Sequence, residues 1–202
     1  MPKSIYEVVY SFTNQLNDKN HRYLSWEHCY RYFRNDEIDS EIGCLHLSFY
    51  LASWGMYRGS SFLLWKDYLI HKEVVKKIIT VRNDFQNLDF STVDDNKTTK
   101  IIKLCDWVTE WYTENAGSIN GEARVTRPSP ILVTKILLGT LGCIPAYDRF
   151  FIAGLGERQI SPKTLSVNGI KQLINFYRLH KDEIDNLGNK IRVGKEPYPT
   201  MK

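Results

Sequence analysis

Cysteine, methionine and proline are scarce in this chain, with four, three and seven residues respectively among 202. Cys29, Cys44, Cys105 and Cys143 stand far apart without CxxC spacing, each inside an apolar or helical pattern. That argues against a disulfide scaffold and a zinc ribbon, and reads as four buried free thiols in a reducing compartment. No window approaches the ~18 continuous apolar residues of a membrane span. Residues 1–10 also lack the basic stretch and apolar run of a leader, so the expectation is a cytoplasmic protein with no membrane partner. Neither sign of charge dominates: the formal charge is +4, too weak for an obligate polyanion binder but compatible with a phosphate-bearing partner.

Several chemistries are missing as well. The chain has no GxxxxGK[ST] loop for a nucleoside triphosphate, no HExxH pair for zinc and no GxSxG nucleophile elbow. His21, His28, His46, His71 and His180 show no repeated ligand spacing, and no cofactor or metal is expected.

Apolar periodicity and aromatics are what the chain does have. Twelve Tyr, nine Phe and five Trp offer large buried area and also planar surfaces for bases and sugars. The 3.6-residue period dominates and strand-like alternation is scarce, which predicts an all-α, single compact domain of about eight helices over residues 1–194. The proline-spaced residues 195–202 read as an extended C-terminal tail. Helices are predicted from Ile5 to about Asn14, over Tyr23–Phe33, His71–Val81, Thr98–Trp111, Ile131–Leu141, from about Asp148, and over Val167–Ile184. A long apolar segment, Glu41–Ile70, should break where Gly55 and Gly59 interrupt it. Residues 115–130 form the clearest irregular connector and carry Arg124 and Arg127.

Two constellations could carry chemistry. Within Trp54–Ser61, glycines permit close approach of the backbone to a ligand, while Arg58, Ser60 and Ser61 can grip phosphate oxygens. Trp54 and Tyr57, three apart, would share a helix face as a stacking pair for a base; the alternative is a glycine-notched core helix. The second lies at Gly142-Cys143-Ile144-Pro145-Ala146-Tyr147-Asp148-Arg149, where a buried helix runs into a proline-bent turn and an acid opens the next helix. Asp148 is there either as a plain N-cap or as a carboxylate held at the rim of a cleft, with Lys135 and Arg149 as neighbouring cations.

The stretch from Ile131 through Gly142 and Pro145 to Asp148 resembles the helix-hairpin-helix superfamily of DNA glycosylases. Members are all-α and carry an apolar helix, a small loop and a catalytic Asp opening the next helix. The likeness covers about a tenth of the chain. The glycine-rich hairpin that presents amides to phosphate in that family is replaced here by Val125-Thr126-Arg127-Pro128-Ser129-Pro130, and the lysine nucleophile of bifunctional members would align near Ile131. The resemblance therefore implies a monofunctional enzyme that leaves its abasic site uncut, with DNA repair or antiviral defence against modified phage DNA as settings. It implies DNA as partner, Asp148 as the catalytic residue and Trp54, Tyr57 and Tyr147 as base-binding residues. Arg58, Ser60, Ser61, Arg124, Arg127, Lys135 and Arg149 would be the DNA contacts. The competing expectation is a non-catalytic helical module that binds nucleic acid or protein, with Asp148 only a cap.

Overall fold

The computed structural model describes residues 4–119, 122–123, 127–193 and 196–202. It is all-α, as the periodicity predicts. In chain order the helices are α1 (Ile5–Gln15), α2 (Leu24–Tyr32), α3 (Ser40–Ser53), α4 (Lys72–Phe85), α5 (Asp95–Asn115), α6 (Pro130–Thr140), α7 (Arg149–Glu157), α8 (Val167–Leu179) and α9 (Lys181–Gly188). Two single-turn 3-10 helices, Phe62–Trp65 and Tyr68–His71, lie between α3 and α4. Strand pairing among the described residues is confined to two short antiparallel ladders, β1 (Ser118–Ile119) with β2 (Glu122–Ala123) and β3 (Arg192–Val193) with β4 (Glu196–Pro197). No helix among the described residues is long and apolar enough to cross a membrane.

Helix α6 is the axis of the fold. Apart from Thr134, Lys135 and Thr140 it is apolar all round, so it has to be covered on every side, and every residue from Leu132 to Thr140 is buried. Helices α2, α3 and α5 pack against it. The helix starts at the signal Ser129-Pro130: the Ser129 hydroxyl accepts from Leu132 N–H at 3.2 Å, and Pro130 occupies the first turn, where its missing N–H is not needed. It ends where Gly142, at φ +65°, adopts the left-handed conformation and donates its N–H to the Leu137 carbonyl at 3.0 Å. Inside the core, the Trp26 indole N–H donates to the Leu138 carbonyl at 3.2 Å, satisfying a donor that burial would otherwise strand.

The break expected around Gly55 is real and comes earlier than Gly59. Helix α3 stops at Ser53, Trp54 caps it, and Gly55 at φ +76° turns the chain out of the helix. Trp54 and Tyr57 therefore do not share a helix face, contrary to the expectation from their spacing. The final helical pattern also divides. His180 leaves the helical region at φ −116° and separates α8 from α9, and the Tyr177 hydroxyl clamps the corner by donating to Asp185 at 2.9 Å.

The four cysteines are buried and unpaired, and burial raises the thiol of each; that of Cys105 is pushed up to about 12. The chain after β4 folds back on the body. The Tyr198 hydroxyl donates to Glu27, Met201 is buried, and the Lys202 ammonium lies 4.5, 5.0 and 4.7 Å from the ring centres of Phe12, Trp26 and Trp54. Burial lowers the pKa of that ammonium to about 8.

Candidate functional site

Asp148 is delivered by the turn that follows α6. Thr134, on α6, donates its hydroxyl to the Pro130 carbonyl at 2.7 Å and accepts the Tyr147 N–H at 3.0 Å, pinning the turn to the core helix. The backbone then enters α7 with Asp148 as its N-cap, and Oδ1 accepts the N–H groups of Phe150 and Phe151, both at 3.1 Å. The cap reading is thus correct as far as it goes. It uses one oxygen, and the other, Oδ2, stands 3.8 Å from the Lys135 ammonium.

Lys135 is 5% exposed, and its position on the core helix explains why. It donates to the carbonyl of Trp54 at 3.0 Å, so a cation meets the C-terminal end of α3, where the helix dipole favours it. Burial lowers its pKa; the Asp148 carboxylate opposes that shift, and the nearby Arg58 and Arg22 add to it. Replacing Lys135 by methionine is expected to lower stability by about 1–3 kcal/mol, because the shape is kept while the Trp54 carbonyl loses its donor. Urea unfolding checks this, and an unchanged midpoint would mean the ammonium holds nothing.

These residues open into a cleft of about 370 Å³ between the end of α3, the face of α6 and the start of α7. Arg22, Arg58, Lys135 and Arg149 line it against the single carboxylate of Asp148. Four cations with one anion in a confined, partly apolar space leave an excess of positive charge for an anionic ligand to neutralise. The aromatic wall is made by Tyr23, Trp54 and Phe150. Tyr23 stacks on Trp54 at 4.8 Å and 24° and on Phe12 at 5.6 Å, and the Arg22 guanidinium lies 5.3 Å from the Tyr23 ring while donating to the Ser53 carbonyl. Phe150 is 70% exposed at the lip, with the Arg149 guanidinium 4.7 Å above its ring.

The expected site residues therefore fall into groups. Trp54, Arg58, Lys135, Asp148 and Arg149 share the cleft. Arg58 also reaches a neighbouring groove that holds Ser60, Ser61 and Arg127. Tyr57 does not line the cleft; its hydroxyl bonds the buried His71 ring at 3.0 Å. Tyr147 is buried 5.0 Å from the Phe151 ring and does not line it either. Arg124 lies outside the described residues.

The sequence reading missed Arg22, Tyr23 and Phe150. Phe150 carried a usable signal: it and Phe151 are consecutive on a helix, so the two rings point about 100° apart and only one can enter the core. Among the described residues, no group of three or more His, Cys, Asp or Glu side chains is arranged to hold a metal ion. Comparison with protein-family models, with curated proteins and with solved structures gives no match to this chain.

Proposed function

We propose that the cleft takes one nucleotide of DNA and that the protein is a monofunctional DNA glycosylase, hydrolysing the bond between a damaged or modified base and its deoxyribose. The observation that supports this reading is the Asp148 carboxylate, held by two backbone N–H groups and lining a cleft with cationic sides and an aromatic wall. When the C1′–N bond breaks, its electron pair leaves with the base and positive charge develops on the sugar. A fixed anion there stabilises that charge without having to reorganise. Water adds at C1′ and gives up a proton through Asp148, the departing base nitrogen gains one, and an abasic site remains. Arg22, Arg58 and Arg149 are suited to the flanking phosphates, and exposed Phe150 to stacking on a base. Lys135 is the fixed countercharge, 3.8 Å from Oδ2 of Asp148.

One observation favours the other reading, a binding module without chemistry: the Oδ1 contacts of Asp148 make a complete N-cap. Asp148→Asn separates the two, because asparagine caps a helix about as well as aspartate but carries no charge. Stability is expected to fall by about 1 kcal/mol or less, because the cap is kept and only the 3.8 Å ion pair with Lys135 is lost, while base release falls about 100-fold or more. The assay is release of alkali-labile abasic sites from single-stranded and duplex oligonucleotides carrying a panel of damaged and modified bases. Equal release by the variant, or binding of every substrate without release, would overturn the enzymatic reading.

A further inference from the structure

Beside the cleft, and sharing Gly55, Met56 and Arg58 with it, lies a second groove of about 440 Å³. Its chemistry is different. No aromatic platform of the cleft reaches it, and its polar side chains are two guanidiniums, Arg58 and Arg127, with the hydroxyls of Ser60, Ser61 and Ser129. Two of those hydroxyls are partly committed: Ser61 accepts from Leu63 N–H at 3.3 Å and Ser129 from Leu132 N–H at 3.2 Å, which leaves their O–H hydrogens to donate. Neither Arg58 nor Arg127 pairs with a carboxylate among the described residues. Gly59, at φ +61°, has open space where a Cβ would stand, so the backbone itself borders the groove. Pro128 and Pro130, the two prolines flanking Ser129, supply no N–H. Two guanidiniums and three hydroxyls are its side-chain donors.

Arg58 connects the two spaces. Its guanidinium lies against Gly55, where a Cβ would come within 3.1 Å of Nε and 3.2 Å of Cζ, so a bare backbone at position 55 is what seats the arginine on the shared wall. We infer that this groove is a phosphodiester subsite for the nucleotide adjoining the one in the cleft, with Arg58 between the two phosphates and Arg127, Ser60 and Ser129 on the outer one. The inference rests on the reading of the cleft as a nucleotide site and adds that the natural ligand is an extended strand crossing both cavities, read at its backbone on the groove side.

The test measures binding of thymidine monophosphate and of single-stranded oligothymidylates two, four and eight nucleotides long to wild type, Arg127→Ala and Arg149→Ala. Arg127 touches only the groove and Arg149 only the cleft. Affinity is expected to rise from the mononucleotide to the dinucleotide. Arg127→Ala should cut that gain about tenfold and make the salt dependence of eight-nucleotide binding shallower by about 0.7, the share of one single-strand phosphate contact. Arg149→Ala should weaken all four lengths together. A length gain untouched by Arg127→Ala, with binding still sensitive to Arg149→Ala, overturns the subsite and leaves the cleft standing. Binding indifferent to both variants, or no binding by wild type, overturns both. Arg127 is exposed, so loss of fold does not confound the comparison, and thermal melting verifies this.

Discussion

Gly139→Ala is expected to destabilise the protein by about 2 kcal/mol or more, although alanine is the better helix former by about 1 kcal/mol. Gly139 sits on the buried α6, and a Cβ there would stand 2.4 Å from Cε1 and 2.7 Å from Cδ1 of Tyr50 on α3. That ring is fully buried, with Trp54 packed edge-on at 6.1 Å, so it has no solvent to swing into. Either α3 moves away from α6 or the ring leaves its rotamer, and both disturb the wall of the cleft. Urea unfolding measures the loss. Combining the change with Tyr50→Leu should recover part of it, since the smaller side chain vacates the space. A Gly139→Ala variant as stable as wild type would show that the two helices are not in such close contact.

The second large effect is acid sensitivity centred on His71. This ring is completely buried between two tyrosines: Nε2 lies 3.0 Å from the Tyr57 hydroxyl and Nδ1 2.5 Å from that of Tyr112. A neutral imidazole has one N–H and one bare nitrogen, so it accepts from one tyrosine and donates to the other, and all three groups are satisfied. Burial lowers its pKa from 6.5 to about 3. Because the folded pKa lies below the unfolded one, the unfolded chain takes the proton first. The contribution of His71 is intact above pH 6.5 and is lost progressively as pH falls towards 3, at up to about 1.4 kcal/mol per pH unit within that window. Stability measured at pH 7, 5.5 and 4 for wild type and His71→Asn should converge as the pH drops, since asparagine does not titrate. A gap that is the same at all three values would refute the assignment.

Tyr57 was drawn into this network rather than into the cleft, and the reason marks where a sequence reading stops. Spacing of three residues places two side chains together only if the helix runs through both, and Gly55 in the left-handed conformation ends it between them. The element types, by contrast, were legible, because α6 announces itself with a serine and proline at its start, a largely apolar run and a glycine after its stop. So was Asp148 as the head of α7, since an acid before a helical pattern is a local signal. The cationic side of the cleft was legible only in half. Lys135, Asp148 and Arg149 are close in the chain, whereas Arg22 and Tyr23 come from the segment leading into α2 and meet Asp148 only once α2 and α3 have packed on α6. Nothing in the periodicity of residues 22–23 encodes that meeting.

The seat of Lys202 has a practical consequence. Its ammonium lies among Phe12, Trp26 and Trp54, and Trp54 is also a wall of the cleft. A fluorophore coupled to the Lys202 side-chain amine has to enter this ring cluster, and would displace the same indole that borders Asp148.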